Sequence, residues 1–267
     1  MNPQLEQMAD ESMVRTLAAQ VEAIWPQEVG LLKRYGFSGG ISVLDAGCGT
    51  GEATFKLAEL YPQAKLLGVD IIDASLARGR QKCAAFGERV RFENRSVFEL
   101  KLPDASFDLV VSRHVIHSIP HPEKVLAELK RVTKKGGRLH VIAEDYGMIH
   151  FPDRSLSADR FWYTATREFG EKIGIDHFIG RRTPSLFKQL GLKDVTVDYV
   201  VVDPLRVPAA TFTRIFQAWC DGFARPIGEN TSISEAQAKA HFADMLATLA
   251  DPNGYGVWQV PVVSGVV

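Results

Sequence analysis

Three cysteines in 267 residues, Cys48, Cys83 and Cys220, are too few and too scattered to staple a fold of this size. An odd, sparse set in a chain long enough to bury its own core excludes a disulfide scaffold and fits a reducing compartment. No stretch approaches the roughly 20 apolar residues that span a bilayer, so no membrane role is expected. The first 25 residues mix acids with apolar positions at helical spacing and lack the basic start and apolar run of a secretion signal, so a cytoplasmic protein is expected. Excess charge is missing as well. Lys plus Arg number 31 against 32 Asp plus Glu, which leaves no electrostatic footprint for a nucleic-acid backbone and points to a small partner. Repeats and low-complexity tracts are absent.

What is present is an alternation of short apolar runs with longer helical ones, the pattern of an α/β fold. Strands are predicted over 41–46, 64–70, 90–94, 107–112, 138–144, 195–202 and 256–263, and crossover helices over 52–61, 74–86 and 122–134. Pro122 suits a first helical turn, Lys134 and Lys135 complement the far end of the dipole, and Gly136 supplies a stop. A shorter helix is predicted over 184–190. The segments 145–182 and 204–252 interrupt the alternation, the second holding a helical stretch over 208–249. Its second helix is expected to open on a capping box of Ser232 and Glu235. One domain is expected over 1–267, with a helical cap at 1–38, a ligand-binding half at 39–144, and the two insertions lying over the carboxyl edge of the sheet, where open α/β folds bind ligands.

The segment Val43-Leu44-Asp45-Ala46-Gly47-Cys48-Gly49-Thr50-Gly51-Glu52 leaves a predicted strand and enters a helix. Glycines at alternate positions let the backbone turn sharply and lie against a ligand. Asp70 ends the next strand about 20 residues on, where a carboxylate accepts hydrogen bonds from ribose hydroxyls; the alternative for Asp70 alone is a strand-end cap. A nicotinamide-dependent oxidoreductase shares the ribose acid, but its loop is GxGxxG around a pyrophosphate. Here the third glycine comes one residue early, and Asp45 would repel a pyrophosphate while attracting an ammonium or sulfonium.

With these residues the chain resembles the class I S-adenosylmethionine-dependent methyltransferases. A third segment, Ser106-Phe107-Asp108-Leu109-Val110-Val111-Ser112-Arg113-His114-Val115-Ile116-His117-Ser118-Ile119-Pro120, followed by a helix and Lys134-Lys135-Gly136-Gly137, is similar to the ubiquinone- and menaquinone-biosynthesis type. The resemblance implies a Rossmann-like doubly wound sheet of seven strands, mostly parallel with an antiparallel last strand, plus helical lid insertions. It implies S-adenosyl-L-methionine as cofactor, bound by Asp45, Gly47, Cys48, Gly49, Gly51, Asp70, Ile71, Ser96, Val97, Arg113 and His114. Ser96 departs from the family's pattern, which often places an acid there for the adenine amino group; a hydroxyl accepts more weakly.

Methyl transfer needs alignment above all, and a base only where the acceptor must lose a proton. The turn that faces the methyl group in the resembling family carries His117, the expected catalytic base, titrating near neutrality; the plainer alternative is a histidine that packs or caps a helix. His114 is read as cofactor shell. His114, His117 and His121 invite a metal, but Pro120 and Pro122 break any continuous helix through them and no run of carboxylates resembles the metal set of catechol-type methyltransferases, so none is expected. Phe161, Trp162, Tyr163 and His177 in the first insertion suit a planar or apolar acceptor or, residue by residue, a packing anchor; Trp219 and Phe223 read as the core face of a helix. The expected partner is a small methyl acceptor, O, N or C, and not nucleic acid or membrane. A homodimer is compatible with the sequence. A silent binding protein that uses the cofactor only as a regulatory ligand is the remaining alternative.

Overall fold

The computed structural model describes residues 10–267; the helical reading of residues 1–9 lies outside the described residues. In chain order the elements are α1 (Glu11–Arg34), β1 (Ser42–Ala46), α2 (Glu52–Leu60), β2 (Lys65–Asp70), α3 (Asp73–Lys82), β3 (Val90–Asn94), β4 (Phe107–Arg113), α4 (Pro122–Val132), β5 (Thr133–Ile142), β6 (Ile149–His150), α5 (Ala158–Ile173), α6 (Thr183–Gln189), β7 (Lys193–Val202), α7 (Ala209–Asn230), α8 (Glu235–Ala250) and β8 (Val257–Val266). Among the described residues no helix is long and apolar enough to cross a membrane.

One sheet runs β3-β2-β1-β4-β5-β8, with β7 on the far edge of β8. The neighbours from β3 to β5 pair in parallel, and β8 runs antiparallel to β5, β6 and β7. The sequence reading had seven strands; the eighth is the two-residue β6. It meets β8 at Trp258 on the edge that β5 uses further along, because Trp258 pairs with Val202 on the other side. Two residues carry no periodicity, so no sequence signal marks it.

Apolar faces explain the layers. Val125, Leu126, Leu129 and Val132 of α4 are fully buried in one cluster with Leu44, Val110 and Leu139 of the sheet. On the other side Leu57 and Ala58 of α2 and Leu76 of α3 pack on Val43, Leu66 and Leu109. A third cluster joins α1, α5, α7 and α8 through Ile24, Trp162, Phe216 and Phe242, and seats them on β8 through Trp258 and Val260. Both insertions and α1 therefore share one aromatic core beside the sheet.

Local readings needed three corrections. Helix α4 ends at Val132, with Lys130 and Arg131 in its last turn, and Lys134, Lys135 and Gly136 already belong to β5. The helix predicted over 74–86 is α3 followed by a tight helical segment, Ala84–Arg89, with a break at Gly87. The capping box of α8 is Ser234 with Gln237. Ser232 instead meets Glu168 of α5, its backbone N–H donating over 2.6 Å and its hydroxyl over 2.9 Å.

Candidate functional site

Strands β1, β2, β4 and β5 all end on the same edge of the sheet, and the glycine loop closes the first of them. Gly47 and Cys48 donate backbone N–H groups to the carbonyl of Val69 at 2.8 and 3.0 Å, which ties the loop to the end of β2. Gly49 then donates to Asp70 Oδ2 at 2.9 Å, while Ile72 donates to Asp70 Oδ1 at 3.0 Å. Asp70 is thus both a strand-end cap and a member of the cavity wall; burial raises its pKa, opposed by these backbone donors. Gly47 sits at φ 77°, and a Cβ there would lie 2.3 Å from Val115 Cγ2, so the loop and the turn after β4 pack backbone against side chain.

The cavity above this loop has a volume of about 240 Å³. Of the sequence-predicted cofactor residues, Gly47, Gly49, Asp70, Ile71, Ser96, Val97, Arg113 and His114 line it. Asp45, Cys48 and Gly51 do not. Asp45 is buried behind the loop, accepting from Thr54 Oγ1 at 2.6 Å, and burial pushes its pKa up to about 6. The Cys48 thiol is buried with a strongly raised pKa, first because of desolvation, and Gly51 begins α2 in the left-handed region against Gly79 and Phe92. Ser96 Oγ accepts from the Phe98 backbone N–H at 3.3 Å. Sequence reasoning missed Leu17 of α1, which meets the space above Gly49, and the apolar pair Phe98 and Ile119. Nothing in local spacing assigns a residue of a distant helix to this wall.

Arg113 ends β4 within a buried polar chain. Tyr35 Oη lies 2.8 Å from His140 Nδ1, and His140 Nε2 is 3.1 Å from Glu28 Oε1. Glu28 Oε2 is 3.0 Å from Arg113 Nη2 without the alignment of a hydrogen bond, and Arg113 Nε and Nη2 are buried without an aligned partner. A buried guanidinium with unspent donors at a cavity wall is suited to a carboxylate.

At His114 the chain reverses, with φ 59° and its N–H donating to the carbonyl of Ile142 at 3.1 Å. His114, Val115, Ser118 and Ile119 line the larger cavity. His117 lines a second, smaller pocket of about 40 Å³ between α5, α7 and the segment after β5. The buried Glu144 joins the two histidines: its Oε1 meets His114 Nδ1, and its Oε2 lies 2.7 Å from His117 Nδ1, close but not aligned as a hydrogen bond. Burial, and next to it His177, brings His117 down to about 3, so the near-neutral titration expected from sequence does not hold. His114 is held well below its ordinary value, chiefly by desolvation. Among the described residues no group of three or more His, Cys, Asp or Glu side chains is placed to hold a metal ion.

The smaller pocket is aromatic. Tyr146 stacks on Trp162 with centroids 5.6 Å apart and planes at 12°, and Trp219 meets both edge-on. Trp162 and Trp219 are therefore packing anchors and pocket walls at once. Tyr163 is exposed and lies outside this pocket. Asp145 is held bidentately by Arg181, at 2.5 and 2.6 Å, and fixes the start of the first insertion.

Known proteins resemble the chain in the same region. A methyltransferase domain matches residues 37–172, about half of the chain. The demethylmenaquinone methyltransferase of Thermus thermophilus is 38% identical over 100 residues, covering 38% of this chain and 46% of that protein. The phosphatidylethanolamine N-methyltransferase of Cereibacter sphaeroides is 32% identical over 120 residues, covering 43% and 58%. The chain spans about half the length of these curated relatives. Among solved structures, phosphoethanolamine N-methyltransferase 2 of Haemonchus contortus, in complex with S-adenosyl-L-methionine, superposes with a TM-score of 0.62 at 18% identity, covering 99% of this chain and 59% of that one. A methyltransferase-like structure from Bacillus halodurans gives 0.60 at 16% identity over 90% and 98%. At these identities the two structures speak for the fold.

Proposed function

The chain belongs to the class I S-adenosylmethionine-dependent methyltransferases, and on that premise we propose that it methylates an N, O or C atom of a small molecule that enters beside His117. The observation that carries this reading is the turn 114–119, which presents His114, Val115, Ser118 and Ile119 to the larger cavity and His117 to the aromatic pocket. When bound, S-adenosylmethionine supplies an electrophilic methyl group on a sulfonium.

The residues present fit that cofactor. Arg113, with its unspent donors, would hold the amino-acid carboxylate. Asp70 would accept from the ribose hydroxyls through lone pairs its backbone donors leave free. Ser96, Val97, Ile71, Phe98 and Ile119 would make the slot for the base. Asp45 acts from behind, by holding the loop through Thr54.

On the acceptor side His117 accepts the acceptor's hydrogen bond and aims its lone pair, one part of an alignment that in full is worth about 7 to 11 kcal/mol. A neutral imidazole at neutral pH is ready for that task, and Glu144 beside Nδ1 orients the ring. His117 also takes the proton of an O–H or N–H acceptor and passes it to water; that proton becomes more acidic as positive charge moves from the sulfur onto the acceptor atom. The three free cysteines and the balanced charge support cytoplasmic residence and a partner other than nucleic acid.

Calorimetric titration with S-adenosylhomocysteine, followed by a labelled-methyl screen of phenols, quinols, amines and sterol- or polyketide-like acceptors, tests the reading. Binding by the parent, with a loss of about 1.5 to 3 kcal/mol in Asp70→Ala, is expected, the range for hydrogen bonds involving a charged group. A parent that does not bind the homocysteine product sinks the proposal.

A further inference from the structure

The aromatic pocket narrows the choice among N, O and C, an inference that rests on the reading of the chain as a methyltransferase with its acceptor at His117. The pocket's volume is about 40 Å³. By the same measure one water needs about 10 to 15 Å³, and a cavity that holds benzene is about 150 Å³. A small head group fits; a ring stays outside. Among the described residues no charged side chain lines this pocket, whose walls include Tyr146, Trp162 and Trp219.

Beside the hydroxyls of Tyr146 and Thr166, the latter donating to the Trp162 carbonyl, two histidines supply its ring-nitrogen acceptors. His177 Nδ1 lies 2.8 Å from the carbonyl oxygen of Thr166, so Nδ1 carries the proton and Nε2 is a bare acceptor. His117 Nδ1 lies 2.7 Å from Glu144 Oε2, which favours the proton on that nitrogen by charge and again leaves Nε2 as an acceptor. Burial keeps both rings neutral. Their centroids are 6.4 Å apart, a gap that one donor atom seated between them spans with hydrogen bonds of about 2.9 Å. The pocket therefore offers two lone pairs to whatever enters.

We propose that the acceptor's reactive head is a primary amine, its two N–H groups held by His117 Nε2 and His177 Nε2, and that His177 selects nitrogen over oxygen. A hydroxyl carries one proton and would leave one buried lone pair unpaired, whereas a neutral amine satisfies both and keeps its own lone pair free for the methyl carbon. The nitrogen lone pair forms the N–C bond while the C–S bond breaks with its electrons on sulfur, so the positive charge moves from sulfur to nitrogen. The surplus N–H proton then leaves through His117 to water. The aromatic faces of Tyr146, Trp162 and Trp219 favour the alkylammonium so formed.

Matched pairs test this in the protein saturated with S-adenosylhomocysteine: benzylamine against benzyl alcohol, and phenethylamine against 2-phenylethanol, read by quenching of Trp162 and Trp219 fluorescence and, with labelled donor, by methyl incorporation. Alkylamines are mostly protonated at neutral pH, so affinities are compared per neutral amine across pH 7 to 9.5, and each neutral amine should bind at least about tenfold more tightly than its alcohol, the size of one unmade buried hydrogen bond. His177→Phe, which keeps a flat ring but no acceptor, should erase the preference, and His177→Gln, whose amide oxygen still accepts, should retain part of it. Equal affinity within pairs, no binding of either member, or a preference unchanged in His177→Phe with a native melting profile overturns the proposal. Failure to bind S-adenosylhomocysteine would instead overturn the methyltransferase reading beneath it.

Discussion

The carboxylate of Glu28, from the N-terminal helix, lies 3.0 Å from the Arg113 guanidinium at the end of β4, and both are buried. Burial alone would raise the Glu28 pKa; the Arg113 charge and His140 more than offset it, so the carboxyl lies below its ordinary range. A lowered carboxylate contributes stability that is present above its unfolded pKa of about 4.3 and lost as pH falls through the lower folded value. Glu28→Ala should cost about 3 to 5 kcal/mol at neutral pH, because it strands a buried cation. Urea unfolding of parent and variant from pH 7 down to 3 checks this, and the gap should shrink only at the acid end.

Asp45 shows the opposite sign. Its folded pKa of about 6 lies above the unfolded value, so the folded state holds its proton more tightly and this group's contribution to stability falls as pH rises from about 4 to 6. Asp45→Asn keeps an acceptor for Thr54 Oγ1 and removes the buried charge, so it should stabilise the protein by about 2 to 3 kcal/mol at neutral pH. The difference should vanish below pH 4. Since Asp45 does not line the cavity, affinity for S-adenosylhomocysteine should change little; a large loss measured by calorimetry would return the carboxylate to the ligand.

Gly47 and Val115 form a contact that a methyl group cannot share. Gly47→Ala places a Cβ 2.3 Å from Val115 Cγ2 at a φ of 77°, so stability should fall by about 1 to 3 kcal/mol and cofactor affinity with it. Val115→Ala in the same chain should recover the packing part of the loss and leave the dihedral part. Additive effects in the double mutant would show that the two residues do not press on one another.

For His117, His117→Ala should lower turnover by about 100-fold with cofactor affinity nearly unchanged, as for loss of an acceptor-side group. Because its pKa lies at about 3, the parent's turnover should show no ionisation of His117 between pH 6 and 8. A step near neutrality that disappears in the variant would mean that ligand binding restores the imidazole's ordinary basicity.

Strands with runs of apolar residues, such as Val43-Leu44 and Leu109-Val110-Val111, were legible because burial on both faces leaves a continuous signature. The glycine loop and Asp70 were legible because their spacing is fixed by one turn. Ser232 and Ser234 both stand three residues before an acid or amide, and the choice between them was made by Glu168 on another helix. The side of the loop that Asp45 faces, the partnership of Glu28 with Arg113, and the place of Glu144 between two histidines are long-range facts. Each joins residues from different strands and helices, and local periodicity carries no information about such pairs.

Strand β8 comes last in chain order yet lies inside the sheet, paired with β5 along one edge and with β7 along the other. During synthesis β5 and β7 are made first, and each waits with an open row of backbone donors and acceptors until residues 257–266 arrive. Trp258 and Val260, which seat the helical layer, arrive with the same strand. Completion of the sheet and closure of the aromatic core are thus one late event, and a ribosome-bound chain stalled before residue 257 is the form of this protein most in need of a chaperone.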